Sequence, residues 1–147
     1  MLKFYIERRP SKAMPQESSI GIILFNKNKY LLLNYEAGHW GFPKGNKEKY
    51  ETDEETARRE LKEETGITAI IIPKEFQEKE EYFYKKEGKT IHKEVLYVLA
   101  ETQETNVTLS KEHTDYKWVT YEEAMNLLTF SQGKELLKKA EEFKKYH

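Results

Sequence analysis

The stretch from Gly45 to Ile67, GNKEKYETDEETARRELKEETGI, fixes a helix at both ends and leaves it almost no apolar surface. Thr52 followed by Glu55 is a capping box, in which hydroxyl and carboxylate satisfy orphan amides reciprocally. Gly66 supplies the left-handed residue that ends the helix. At about 100° per residue, Glu60, Glu63 and Glu64 fall on one face, with Ala57 and Leu61 beside them as the apolar stripe. Such a helix must pack along a narrow edge against something larger. Its carboxylates repel one another by roughly a few tenths of a kcal/mol per pair. Charge runs are most often solvated faces. The competing reading is a ligand set for a hard divalent cation, which takes grouped oxygen donors. Arg59, on the flank of Glu63, is placed to orient that carboxylate through a bidentate pair.

Around this helix the chain alternates strand and turn signals. SIGIILFNKNKYLLLNYE is two apolar runs about Asn26-Lys27-Asn28, a hairpin. GHWGFPKG is a loop punctuated by Gly and Pro. ITAIIIP, β-branched and apolar, predicts a buried strand. EFQEKEEYFYKKEGKTIHKEVLYVLAET predicts a long hairpin turning near Glu87-Gly88, and DYKWVTY a further strand. Thr120 with Glu123 forms a second capping box, and Ser131 is expected to cap a last helix ending near Lys145. Residues 1–17 form a polar extension in which KFYIE predicts a short strand. Strands bracketing an early helix, with helices at the end, indicate α/β or α+β layers.

Length and composition narrow the function. At 147 residues the chain is expected to form one domain, 1–147, with a core of its own. It has no cysteine, which excludes disulfides, thiolate metal sites and cysteine nucleophiles. A net charge of −1 gives no steering towards nucleic acid or anionic membrane. No apolar run is as long as a membrane span. The N-terminus lacks the apolar core of a signal peptide, so a cytoplasmic location is the expectation, with a monomer favoured.

The spacing inside the acidic stretch carries more information than its charge. Gly45, five residues, Glu51, seven residues, Arg59-Glu60-Leu61, one residue, Glu63-Glu64, one residue, Gly66-Ile67 resembles the Nudix signature at every fixed position. The resemblance implies an α/β/α sandwich around a mixed β-sheet, and a hydrolase cleaving a nucleoside diphosphate linked to another moiety. It implies that Glu60 and Glu64 bind Mg²⁺ or Mn²⁺, with the Gly45 carbonyl as a further ligand. It implies a ligand or base role for Glu63, while Glu51 and Arg59 hold loop and helix in register.

Flanking segments extend the likeness. HWGFPKG, SKEHTDYKWV, EYFYKKEGKTIHKEVLYVLAE and YEEAMNLLTF are similar to the asymmetrical diadenosine tetraphosphate hydrolases of that family. This implies Glu112 as an outlying metal ligand or general base, and His39, Lys44 and Lys93 as phosphate contacts. Tyr82 matches a base-stacking tyrosine, with Tyr84 on the same strand face and Phe130 as the opposite wall. His39 has a second reading, a loop residue fixed by a backbone hydrogen bond; Trp40 and Trp118 read as structural. The loop NKEKY departs from the Pro-Gly turn common in relatives. The implied reaction is in-line attack of metal-activated water on phosphorus, giving ATP and AMP. Capped RNA 5′ ends, ADP-ribose and nucleoside triphosphates are alternative substrates. A non-catalytic nucleotide sensor is opposed by the intact carboxylates of the signature.

Overall fold

The computed structural model describes residues 16–147, so the strand expected at KFYIE lies outside the described residues. Eight strands form one mixed sheet: β1 (Gln16–Asn26), β2 (Lys29–Tyr35), β3 (Trp40–Gly41), β4 (Lys44–Asn46), β5 (Ile70–Ile71), β6 (Gln77–Lys86), β7 (Lys89–Thr102) and β8 (His113–Thr120). The described helices are α1 (Asp53–Thr65), α2 (Tyr121–Leu127) and α3 (Ser131–Tyr146). None of them is long and apolar enough to cross a membrane.

Strand β1 is the spine. It runs parallel to β7 from Gln16 opposite His92 to Phe25 opposite Glu101, and antiparallel to β4 and β2 on its other edge. The polar extension expected over residues 1–17 is therefore shorter, because Gln16 and Glu17 already belong to this ladder. The two hairpins turn where the sequence places them. Lys27 adopts φ 56°, and Glu87 and Gly88 adopt φ 52° and 77°, the pair of left-handed residues that matches strand twist in a tight turn.

Side chains alternate across the central strands, and both faces are buried. Ile20, Ile22 and Leu24 of β1 join Leu31, Leu33, Val98 and Ala100 beneath Ala57 and Leu61 of α1. On the other face Ile23, Tyr30, Leu32, Val95, Tyr97 and Leu99 pack against Leu136, Leu137 and Ala140 of α3. Each fully buried Leu or Ile contributes roughly 2 kcal/mol. The narrow apolar edge of α1 thus suffices, since the sheet covers it while Glu54, Glu55, Arg58, Lys62 and Glu63 stay exposed. This is the α/β/α layering that the resemblance implied.

Two expectations are corrected. Only Ile70 and Ile71 of ITAIIIP form a strand, an edge pairing with β7, and Ile71 is 71% exposed. The run lies at the margin of the sheet, where the core reaches one side only. Ser131 does not cap α3; Phe130 occupies the cap position without a side-chain bond, and its extended backbone turns the ring towards His39.

Gly21 marks a close approach. A Cβ there would collide with the Tyr97 ring, which leans over β1 to floor the cavity described below. Gly21→Ala is expected to cost about 1–3 kcal/mol through overpacking, measurable as a lower urea midpoint with an unchanged slope.

Candidate active site

Helix α1 is built as its sequence dictates. The Glu55 amide donates to Thr52 Oγ1 at 3.1 Å and the Thr52 amide to Glu55 Oε1 at 2.8 Å. Gly66, at φ 79°, closes the helix by donating to the Lys62 carbonyl at 2.8 Å. One turn before that end lies the carboxylate cluster.

Gly45 leaves room for what faces it. A Cβ at Gly45 would fall on the Glu60 carboxyl group, so any side chain here would force that carboxylate to swing out of its present position. Arg59 ties the same loop to the helix. Its Nε and Nη2 bind both oxygens of Glu51 at 2.6 and 2.9 Å, Nη2 also reaches the Asn46 carbonyl at 2.9 Å, and Nη1 reaches Glu60 and Glu63 at 2.8 Å each. The bidentate partner is thus Glu51 rather than Glu63, because Glu51 enters from the loop opposite the planar guanidinium fork. The Arg59 hydrogen bonds lower the Glu51 pKa to about 2. Between Gly45 and Glu51, Tyr50 takes a left-handed φ of 72°.

Glu64 is the buried member, 4% exposed. Burial, and then the neighbouring Glu60 and Glu112, push its pKa well above the usual carboxylate range, against a smaller opposing effect of the Lys44 backbone. Its Oε1 has no hydrogen-bond partner among the described residues, and His113 Nε2, also unpartnered, stands 3.7 Å away. His113 is held from its other nitrogen by Ser110 Oγ at 3.2 Å and from its edge by the Tyr35 ring. Glu63 is turned outwards onto Arg59, its side chain 53% exposed. Glu112, exposed in the turn just before β8, acts electrostatically on Glu64 and Tyr35. Glu60, Glu63, Glu64 and Glu112 do not supply three ligand atoms within 4.8 Å of one another; Glu60 and Glu64 adjoin, and the other two stand off.

Beyond Gly45 come the cations and the aromatics. Lys44 has its pKa lowered by burial and by nearby Lys93. Lys93 donates to Asn46 Oδ1 at 3.0 Å and lies 3.5 Å from Glu17. A cavity opens next to them, walled by Tyr35, His39, Trp40, Phe42, Tyr97 and Phe130. His39 stacks on Tyr35 at 4.5 Å and meets Phe130 at 5.1 Å. Its backbone carbonyl accepts from the Tyr35 amide, so the chain fixes the loop and the ring still lines the cavity. Burial and then Lys44 lower the His39 pKa, which favours the neutral ring. Tyr35 donates from its hydroxyl to the Phe42 carbonyl. The Trp40 amide donates to Thr129 Oγ1 at 2.9 Å, which docks this loop onto the turn that carries Phe130. Trp118 pins a distant loop through the Thr105 carbonyl and takes no part.

Tyr82 and Tyr84 do not join that cavity. Their rings lie 6.2 Å apart on β6, and Tyr84 donates to Glu17 at 2.5 Å. The cavity's lining is completed instead by residues the sequence did not single out, among them Glu80, Gln132 and Tyr97. Glu80 could have been found, since alternation along β6 puts it on the face of Tyr82 and Tyr84. Gln132 and Tyr97 carry no local signal.

A carboxylate pair under a glycine strand, two ammonium groups and an aromatic cavity lie together around the Gly45 loop. Residues 15–140 match the NUDIX domain model. The asymmetrical bis(5′-nucleosyl)-tetraphosphatase of Mus musculus is 37% identical over 139 residues, covering 84% of this chain and 92% of that protein. The Caenorhabditis elegans protein of the same name is 35% identical over 123 residues, covering 82% and 88%. A crystal structure of a C. elegans Ap4A hydrolase binary complex superposes with a TM-score of 0.77 at 31% identity, covering 89% of this chain and 99% of that one. The chain belongs to the Nudix family. Its class is that of the family's pyrophosphohydrolases, which generally use divalent metals. The donors here fit such an ion: they are all oxygen, and one is buried with no partner of its own.

Proposed function

We propose that this protein hydrolyses dinucleoside polyphosphates, taking diadenosine tetraphosphate to ATP and AMP with Mg²⁺ or Mn²⁺, as a monomer of one domain. The observation that carries this reading is the order of groups along one short segment. Residues 39–45 present the cavity wall, then an ammonium, then the glycine over Glu60, so a nucleoside, its phosphates and the scissile bond each meet a matching group in turn. The extent of the likeness to the tetraphosphatases, 92% of the mouse protein, supports the same choice.

Glu60 and Glu64 would hold the metal, with the Gly45 carbonyl as a further ligand. A bound divalent ion neutralises phosphate oxygens and acidifies a water molecule. Lys44, Lys93 and His39 take the phosphate chain; a lysine beside the reacting phosphoryl group stabilises charge that develops there. Phe130 stacks on one base within its cavity, while Tyr82 and Tyr84 offer a separate platform for the second. Glu51 and Arg59 keep the Gly45 loop seated on α1. Glu112 is favoured over Glu63 as the group that accepts the proton of the attacking water, because Glu63 is already committed to Arg59. Glu112→Gln should therefore lower kcat by about a hundredfold or more, measured at saturating metal; a drop much smaller than this assigns the base to Glu63.

Chromatography of products from a panel of diadenosine tetraphosphate, capped RNA, ADP-ribose and nucleoside triphosphates tests the substrate. ATP plus AMP, at the highest kcat/KM of the panel and abolished by EDTA, is the expected result. Preferential cleavage of another member replaces the substrate, and no cleavage of any identifies a sensor.

A further inference from the structure

The hairpin β6–β7 carries a second group of metal-ligating side chains on the face opposite Tyr82, Tyr84 and Lys93. Glu81 and Glu94 are cross-strand partners, and His92 is paired with Phe83 one step away. Ligand atoms of Glu81, His92 and Glu94 all lie within 4.8 Å of one another. Among the described residues this is the trio that meets that spacing, whereas the Nudix carboxylates do not.

His92 is what separates this trio from an ordinary acidic surface. It is 6% exposed, and its Nδ1 is buried with no hydrogen-bond partner among the described residues. Its Nε2 stands 3.5 Å from Glu81 Oε2, and the ring is held flat against Phe83 at 4.9 Å and 30°. Burying an imidazole without satisfying its nitrogens is unfavourable. The ring is nevertheless fixed in place with Nε2 towards Glu81. One of its nitrogens lies within 4.8 Å of a carboxylate oxygen of each glutamate. The two carboxylates have greater freedom: the Glu81 side chain is 54% exposed and Glu94 is half-buried.

We propose that Glu81, His92 and Glu94 form a binding site for a divalent transition-metal ion, distinct from the catalytic centre. One imidazole nitrogen with carboxylate oxygens selects ions of the Zn²⁺ type over Mg²⁺, which prefers oxygen alone. Metal–ligand bonds of about 2.1 Å require any donor atoms standing near the 4.8 Å limit to draw closer. Rotation of the two glutamates about the fixed histidine accomplishes this, and water completes the coordination at the exposed side. Bound metal would cross-link β6 to β7 at the positions that flank Tyr82 and Lys93, holding the register of the strand pair that carries them.

The test is calorimetric titration of the full chain with Zn²⁺ in excess Mg²⁺, comparing wild type with His92→Asn and with the double variant Glu81→Gln, Glu94→Gln. Wild type should take up one more Zn²⁺ per chain than either variant, and Zn²⁺ should raise its Tm by more than it raises theirs. None of these residues lies in the catalytic centre, so Mg²⁺-dependent turnover should survive in all three proteins. Equal Zn²⁺ stoichiometry in wild type and His92→Asn overturns the proposal. Should His92→Asn fail to fold, equal stoichiometry in wild type and the double variant overturns it instead.

Discussion

Glu64→Gln is expected to lower turnover at least about a thousandfold, while the metal-free protein stays as stable as wild type or becomes more so. A metal ligand supplies several kcal/mol of transition-state charge stabilisation, and about 4 kcal/mol corresponds to three powers of ten in rate. The stability half of the prediction follows from burial. A carboxylate with an orphaned oxygen, almost fully buried, is a liability to the fold unless a cation meets it. Since its pKa is raised, the native state without metal retains a proton that the unfolded chain releases above about pH 4.3. That contribution to stability is complete at low pH and is lost as pH rises towards the raised value. Urea denaturation in EDTA at pH 6 and pH 8 should therefore show wild type weakening with pH more than the glutamine variant does. A variant that is inactive but no less stable would identify Glu64 as a residue kept for chemistry.

Arg59→Ala should weaken both the fold and turnover. The guanidinium bridges Glu51, Glu60, Glu63 and the Asn46 carbonyl, and no other side chain described here joins the Gly45 loop to α1 at so many points. Its loss leaves the loop untied and several carboxylates facing one another. The expected destabilisation is about 2 kcal/mol, below the figure for a fully buried network because the group is a quarter exposed. Turnover should fall by about a hundredfold through misplacement of Glu60, since roughly 1 Å of misplacement is enough for that. Acid sensitivity should change too. Glu51 has a folded pKa of about 2, so its contribution is present above its unfolded value and disappears as pH falls towards 2. Arg59→Ala should flatten the stability–pH curve in that window, as followed by circular dichroism.

Features encoded within a few residues are legible in the sequence. The caps at Thr52, Gly66 and Thr120 and the turn at Glu87-Gly88 are settled by hydrogen bonds and backbone angles that neighbouring residues dictate. Helix α1 could be placed with its face because its spacing and both its ends were local. Orientation at longer range was less visible. Glu63 belongs to the same helical face as Glu60, yet Arg59 draws it outwards, and what decides this is the loop glutamate Glu51 on the far side of the fork. The run ITAIIIP looked like a core strand because apolarity does not say how many faces a strand will bury. The cavity was least legible: Tyr35, Phe42, Glu80, Tyr97 and Gln132 come from separate elements, and only sheet register and the docking of α3 bring them together.

The central claim is that Glu60 and Glu64 hold a divalent ion beneath the Gly45 strand. Electron paramagnetic resonance of added Mn²⁺ tests it most directly, in a His92→Asn background so that the hairpin trio does not contribute. The parent should immobilise Mn²⁺, and adding Glu60→Gln with Glu64→Gln should return it to the free hexaaqua signal. Undiminished Mn²⁺ binding in that combined variant would contradict the claim.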